Sequence, residues 1–184
     1  MHTFTFRSLF FALAATLPMA ASAPAFAASK ADLESSSKAA LNQLVSQNPG
    51  AKALNAKAVA VLVFPKVTKA GLGVGGQFGE GVLWRKGKAA GYYNTAGASY
   101  GLQAGAQQFG YAMFFMNQKA LDSLSSTQGF EVGVGPSVVV MDEGKAKNVT
   151  SGTLTEDIYA FIFSQKGLMA GLGIQGNKIT RIEK

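Results

Sequence analysis

Between residues 29 and 48, Leu33, Ala40, Leu41, Leu44 and Val45 fall on one side of a 3.6-residue repeat, with Lys, Asp, Glu, Ser, Asn and Gln opposite. That spacing predicts an amphipathic helix over 30–47. Ser29 followed by Asp32 resembles a capping box. Asn48-Pro49-Gly50 ends the helix, because proline cannot continue one and glycine supplies a turn. A short second helix is expected over 51–57, after which the period changes. Residues 58–64 form a continuous apolar run rich in β-branched side chains, the pattern of a strand covered on both faces. Residues 65–69 read as a polar connection. From 71 to 84 the chain alternates at period two, with Leu72, Val74, Gly76, Phe78, Glu80, Val82 and Trp84 on one side. Up to Gly81 the other side is glycine except at Gln77. A strand with one bare face requires a backbone or large side chain close against it, or strong coiling.

Residues 86–88 turn the chain into an apolar stretch at 89–93. Further strands are expected at 99–107, 110–116, 130–141, 158–164, 168–175 and 178–182. A short helix at 117–125, capped by Asn117, interrupts them, and turns are expected at 142–145 and 176–177. The fold class is α+β: mainly an antiparallel β barrel or sandwich, with the N-terminal amphipathic helix and one or two short helices packed on it. Residues 58–76 also align without gaps on 158–176, with 7 of 19 positions identical, including A-G-L-G at 70–73 and 170–173. Either glycine-rich composition accounts for this, or a strand, lysine loop and glycine strand recur as two equivalent hairpins.

The first residues, with Arg7, an apolar run at 9–17 and A-F-A at 25–27, have the layout of a secretory signal peptide. The run is shorter than the roughly 20 residues of a membrane span. The expected organisation is a signal peptide at 1–27 and a single domain at 28–184, periplasmic or secreted and peripheral to a membrane. Apolar residues make up 48% of the chain, ample for one core. Cleavage would remove His2, the one histidine, and the chain has no cysteine. This excludes Ser-His-Asp and Cys-His relays, disulfides and the usual zinc sites. Glu80 and Glu131 are the carboxylates that could form a glycosidase-type pair, but spacing gives no separation for them. A non-enzymatic protein without a cofactor is expected.

The net charge is +7. Lys66, Lys69, Arg85, Lys86 and Lys88 flank the glycine-rich strand, with Trp84, Tyr92 and Tyr93 nearby in sequence. Cations with interfacial aromatics suit an anionic membrane surface, at about 1 kcal/mol per basic residue close to it. The alternative is ordinary solubilising lysine, and loops on consecutive strands can lie at opposite ends. Gly71-Leu72-Gly73-Val74-Gly75-Gly76 matches G-x-G-x-x-G, yet alternation continues where a dinucleotide-binding turn needs a helix, and the acid expected about 20 residues on is absent. Nucleic acid is not an expected partner of an exported chain. Asn148-Val149-Thr150 forms a glycosylation sequon.

Four segments in order carry a family resemblance: V-L-V-F-P-K-V-T-K-A-G-L-G-V-G-G-Q-F-G-E-G at 61–81, S-Y-G-L-Q-A-G-A-Q at 99–107, V-G-V-G-P-S at 132–137 and F-S-Q-K-G-L-M-A-G-L-G-I-Q-G at 163–176. The chain resembles a SYLF domain over nearly all of 28–184. The resemblance implies a stand-alone domain of mixed α and β structure that binds phosphoinositides or other anionic lipids. It places that role on Lys66, Lys69, Arg85, Lys86, Lys88 and Trp84, with helix 30–47 as a second contact. Some eukaryotic members bind and bundle actin, a poor expectation for an exported chain. Some bacterial relatives are lipoproteins, whereas this chain has no cysteine to carry a lipid. The rival expectations are a structural or protein-interaction domain of the cell envelope, with a protein partner, and an outer-membrane barrel. Many of the expected strands fall short of the roughly 9–11 residues a barrel span needs.

Overall fold

A computed structural model describes residues 28–125, 129–141, 155–166 and 173–184. The expected signal peptide, the 142–145 turn, the Asn148 sequon and most of the second glycine motif lie outside these residues.

Helix α1 (Lys30–Gln47) begins as its sequence predicts: Ser29 Oγ accepts from the Asp32 N–H at 3.1 Å and donates to Asp32 Oδ2 at 2.6 Å. Asn48 closes α1 with its N–H on the Leu44 carbonyl. Its side chain then caps helix α2 (Pro49–Lys57), accepting from the Ala51 N–H, with Pro49 in the first turn where no N–H is missed. The buried stripe of α1 is Leu33, Ser37 and Leu44.

The sheet is built on one long ribbon. Strand β1 (Ala60–Arg85) pairs antiparallel with β2 (Lys88–Phe115) over its whole length. Residues 65–69 are therefore strand rather than a connection. Pro65, which cannot donate to a ladder, sits at the register shift between Phe64 and Val67. Likewise 89–93, 99–107 and 110–116 are one strand. A bend at 71–75 brings the two arms of β1 together. A side chain on Gly71 would overlap the Gly75 Cα, and one on Gly81 would lie 2.6 Å from both the Val63 carbonyl and the Phe64 ring. The bare face thus does both things expected of it, coiling and admitting backbone.

The far edge of β2 is divided between the arms. Residues 92–96 pair with β6 (Lys178–Ile182), and 108–115 pair with β5 (Ile158–Lys166). The expected strand at 130–141 is two short ones on different arms. Strand β3 (Phe130–Glu131) joins β6, and β4 (Val138–Met141) runs parallel to β5. Gly133 and Gly135, both with positive φ, break the strand between them. The molecule is an α+β domain with a curled, mainly antiparallel sheet and a few helices. Helix α3 (Gln118–Ser123) follows β2, capped by Asn117 as expected.

Alternating residues feed two cores. The inner one contains Leu62, Phe64, Val67, Phe109, Tyr111, Met113, Ile158 and Ile179, with Leu121 from the α3 helix. The outer one packs Val61, Val63, Val82, Trp84, Phe114 and Phe161 against Leu33, Leu44 and Leu54 of the two N-terminal helices. Every residue of 60–64 is buried, as its unbroken apolar run requires. A buried polar chain links the arms. Tyr111 donates to Thr95 Oγ1 at 2.7 Å, Asn177 Nδ2 to the same oxygen at 3.4 Å, and Gln77 Nε2 to Asn177 Oδ1. Burial pushes the Tyr111 hydroxyl far above the ordinary phenol range.

The two aligned segments flank one stretch of β2: Ala60 and Ile158 both face Phe115, and Phe64 and Ile162 both face Tyr111. Residues 58–76 form no hairpin, because 60–76 continue as a single strand. That part of the repeat expectation is corrected.

Candidate functional site

The six residues singled out from the sequence separate into two places. Arg85, Lys86 and Lys88 are exposed around the β1–β2 turn. Lys66 is exposed on the first arm of β1, far along the strand from that turn. Lys69, opposite Gln107 in the ladder, is buried, and so is Trp84. Each keeps only a small fraction of its surface open to solvent. Strand alternation puts Lys69 on the same face as Val67, and helix α1 lies over Trp84. The indole N–H of Trp84 donates to Ser37 Oγ at 2.8 Å, and Lys38 Nζ lies 5.8 Å from its ring centroid. The two expected basic loops do not form one patch, because 65–69 is not a loop.

The turn itself is locally dictated. Lys86 and Gly87 both have positive φ, 49° and 76°, giving a two-residue connection of the primed kind that matches the right-handed twist of paired strands. The turn projects Arg85 and Lys86 along one wall of a groove of about 450 Å³. Lys38 of α1 lines it as well, together with Ala58, Val61 and Trp84. Asn42, Asn55 and Gln118 add side-chain amides, and no carboxylate lines it among the described residues. Arg85 Nη2 donates to Gln118 Oε1 at 3.0 Å, whose Nε2 donates to Asp122 at 2.6 Å, so one guanidinium edge is held in place through an amide.

Three cations and three amides around an apolar floor can take an anionic oxyacid group, since Arg and Lys supply charge-assisted donors and Asn and Gln neutral ones. Sequence reasoning identified Arg85 and Lys86. It missed Lys38, Asn42, Asn55 and Gln118, which come from three different helices. Lys38 reads locally as a solubilising residue on the polar side of α1, and only docking of the helix brings it to the turn. The carboxylates considered for a catalytic pair are otherwise placed: Glu80 pairs with Lys184 at 3.0 Å, and Glu131 is exposed on the short β3.

The curled sheet with helices outside it and a cation-lined groove at a turn defines the chain as a small α+β domain with a surface site. Residues 96–184 match the family described as Ysc84, Las17-binding protein actin regulator. That match agrees with the SYLF resemblance that the motifs carry. No curated protein matches the chain. Among the described residues no helix is long and apolar enough to cross a membrane.

Proposed function

We propose that this protein is an exported, non-enzymatic binding module, formed by residues 28–184, that engages anionic phospholipid or phosphoinositide-like surfaces through the groove beside the β1–β2 turn. The observation that carries this reading is the groove lining: Lys38, Arg85 and Lys86 converge there with no carboxylate among the described lining residues. An anionic headgroup would meet the three cations while its glycerol edge rests against the Trp84 end. Lys88 adds charge at the exposed end of the turn. Lys66 lies on a different surface and is not needed for this contact.

Sedimentation of the purified protein with vesicles tests the proposal. Binding to vesicles containing phosphatidylglycerol is expected to exceed binding to pure phosphatidylcholine and to fall as salt rises, because the contact is screened. The Lys38→Glu/Arg85→Glu pair, both at exposed positions, should remove most of it. Equal binding to neutral and anionic vesicles would reject the reading.

A protein partner in the cell envelope is the second reading. The family description favours it, since it names a protein that binds Las17 and regulates actin. Crosslinking in envelope extracts distinguishes the two, because a stoichiometric protein adduct is not a product of lipid binding.

A further inference from the structure

The opposite flank of α1 borders a second groove, of about 790 Å³, formed with the outward face of both β1 arms. Its apolar lining comes from Leu33, Ala39 and Ala40 of the helix and Pro65, Phe78 and Gly79 of the strand. That volume lies within the roughly 300–1,000 Å³ of small-molecule sites. Ala39, Ala40 and Gly79 project little or nothing into it, which leaves a trough between helix and strand. Phe78 is 53% exposed at its side, and Val74, further along the same outward face, is 66% exposed. Phe78, an exposed aromatic side chain in the lining, adds apolar surface to the concavity.

The charges around the trough select the occupant. Glu80, the one carboxylate among the described lining residues, is already matched: Lys184 Nζ lies 3.0 Å from it and also donates to the Ala28 carbonyl at 2.7 Å. Lys66, exposed at the rim, makes no ion pair among the described residues. Ser36, Gln43 and Thr68 add neutral polar groups to the lining. A trough with this apolar floor, and with a cation at its edge free of ion pairs among the described residues, is complementary to one alkyl chain that carries one negative charge. We infer that this groove binds a long-chain fatty acid, the chain lying between α1 and β1 and the carboxylate at Lys66. The site shares no residue with the groove at the β1–β2 turn, so it stands or falls apart from the surface-binding reading.

The experiment is titration of the purified protein with palmitate below its micellar range, followed by displacement of a fluorescent fatty-acid probe. Saturable one-to-one binding is expected. Ala39→Trp, at an exposed helix position, fills the trough and should weaken binding at least roughly tenfold, about 1.4 kcal/mol. Lys66→Glu should weaken it roughly two- to fivefold, the scale of an exposed ion pair. Both variants should keep the parental thermal midpoint, and Arg85→Glu should bind palmitate as the parent does. Absence of saturation would overturn the proposal, as would unchanged affinity in Ala39→Trp. Self-association of the parent that Ala39→Trp abolishes would also overturn it, since the trough would then be an interface between copies.

Discussion

At the residue scale, Lys86 combines two demands. It supplies a cation to the groove and occupies a left-handed turn position that favours Asn or Gly over Lys. Lys86→Asn separates them. Chemical denaturation should show stability unchanged or raised by up to about 1 kcal/mol, while sedimentation with anionic vesicles shows weaker binding. Reduced stability together with unaltered binding would contradict both roles. Trp84 shows the limit of reasoning by residue type. Its position beside the cations is legible in the sequence, but its burial against the N-terminal helices, where the Ser37 hydroxyl accepts its N–H, comes from helix docking. Lys69 is a similar case: charge and neighbours suggest a loop, and strand continuity turns it inward.

At the element scale, the ribbon of β1 and β2 depends on glycines that differ in what surrounds them. Gly81 faces the Val63 carbonyl and the Phe64 ring at 2.6 Å, whereas a side chain on Gly76 would meet only the Gly97 carbonyl, at 3.8 Å. Gly81→Ala should therefore cost about 1–3 kcal/mol, the range of overpacking, and Gly76→Ala should be close to neutral. Urea unfolding of the pair checks this, and equal effects would mean that the arms do not close on the glycine face. The alternating glycines were legible as a bare strand face. The bend at 71–75 was not, because period two is the same in a straight strand and a folded one. The polar run at 65–69 misled for a related reason: a proline and two lysines resemble a loop, yet a bulge and an edge accommodate all three.

At the scale of the whole molecule, α1 lies across both arms of β1, with Ser37 between Val63 on one and Trp84 on the other, and a groove opens on each of its flanks. On the inner side, Asn177 joins Gln77 to the Thr95 and Tyr111 pair. Asn177→Ala would strand buried polar groups on two strands, and about 1–3 kcal/mol of stability should be lost, measured as a lower urea midpoint of a single transition. No loss would show that the network is not a tie between the arms. The sequence by itself determined the caps of α1 and α3, the strand-forming character of much of the sheet, the bare glycine face and the family resemblance, because these rest on local periodicity, capping chemistry and motifs in order. Only the tertiary structure decided which charges meet. Lys38 and Arg85 are 47 positions apart in the chain, and Lys66 and Arg85 only 19, yet the first pair shares a groove and the second does not. Helix docking and the bend of a ribbon set those distances, and neither leaves a period in the sequence.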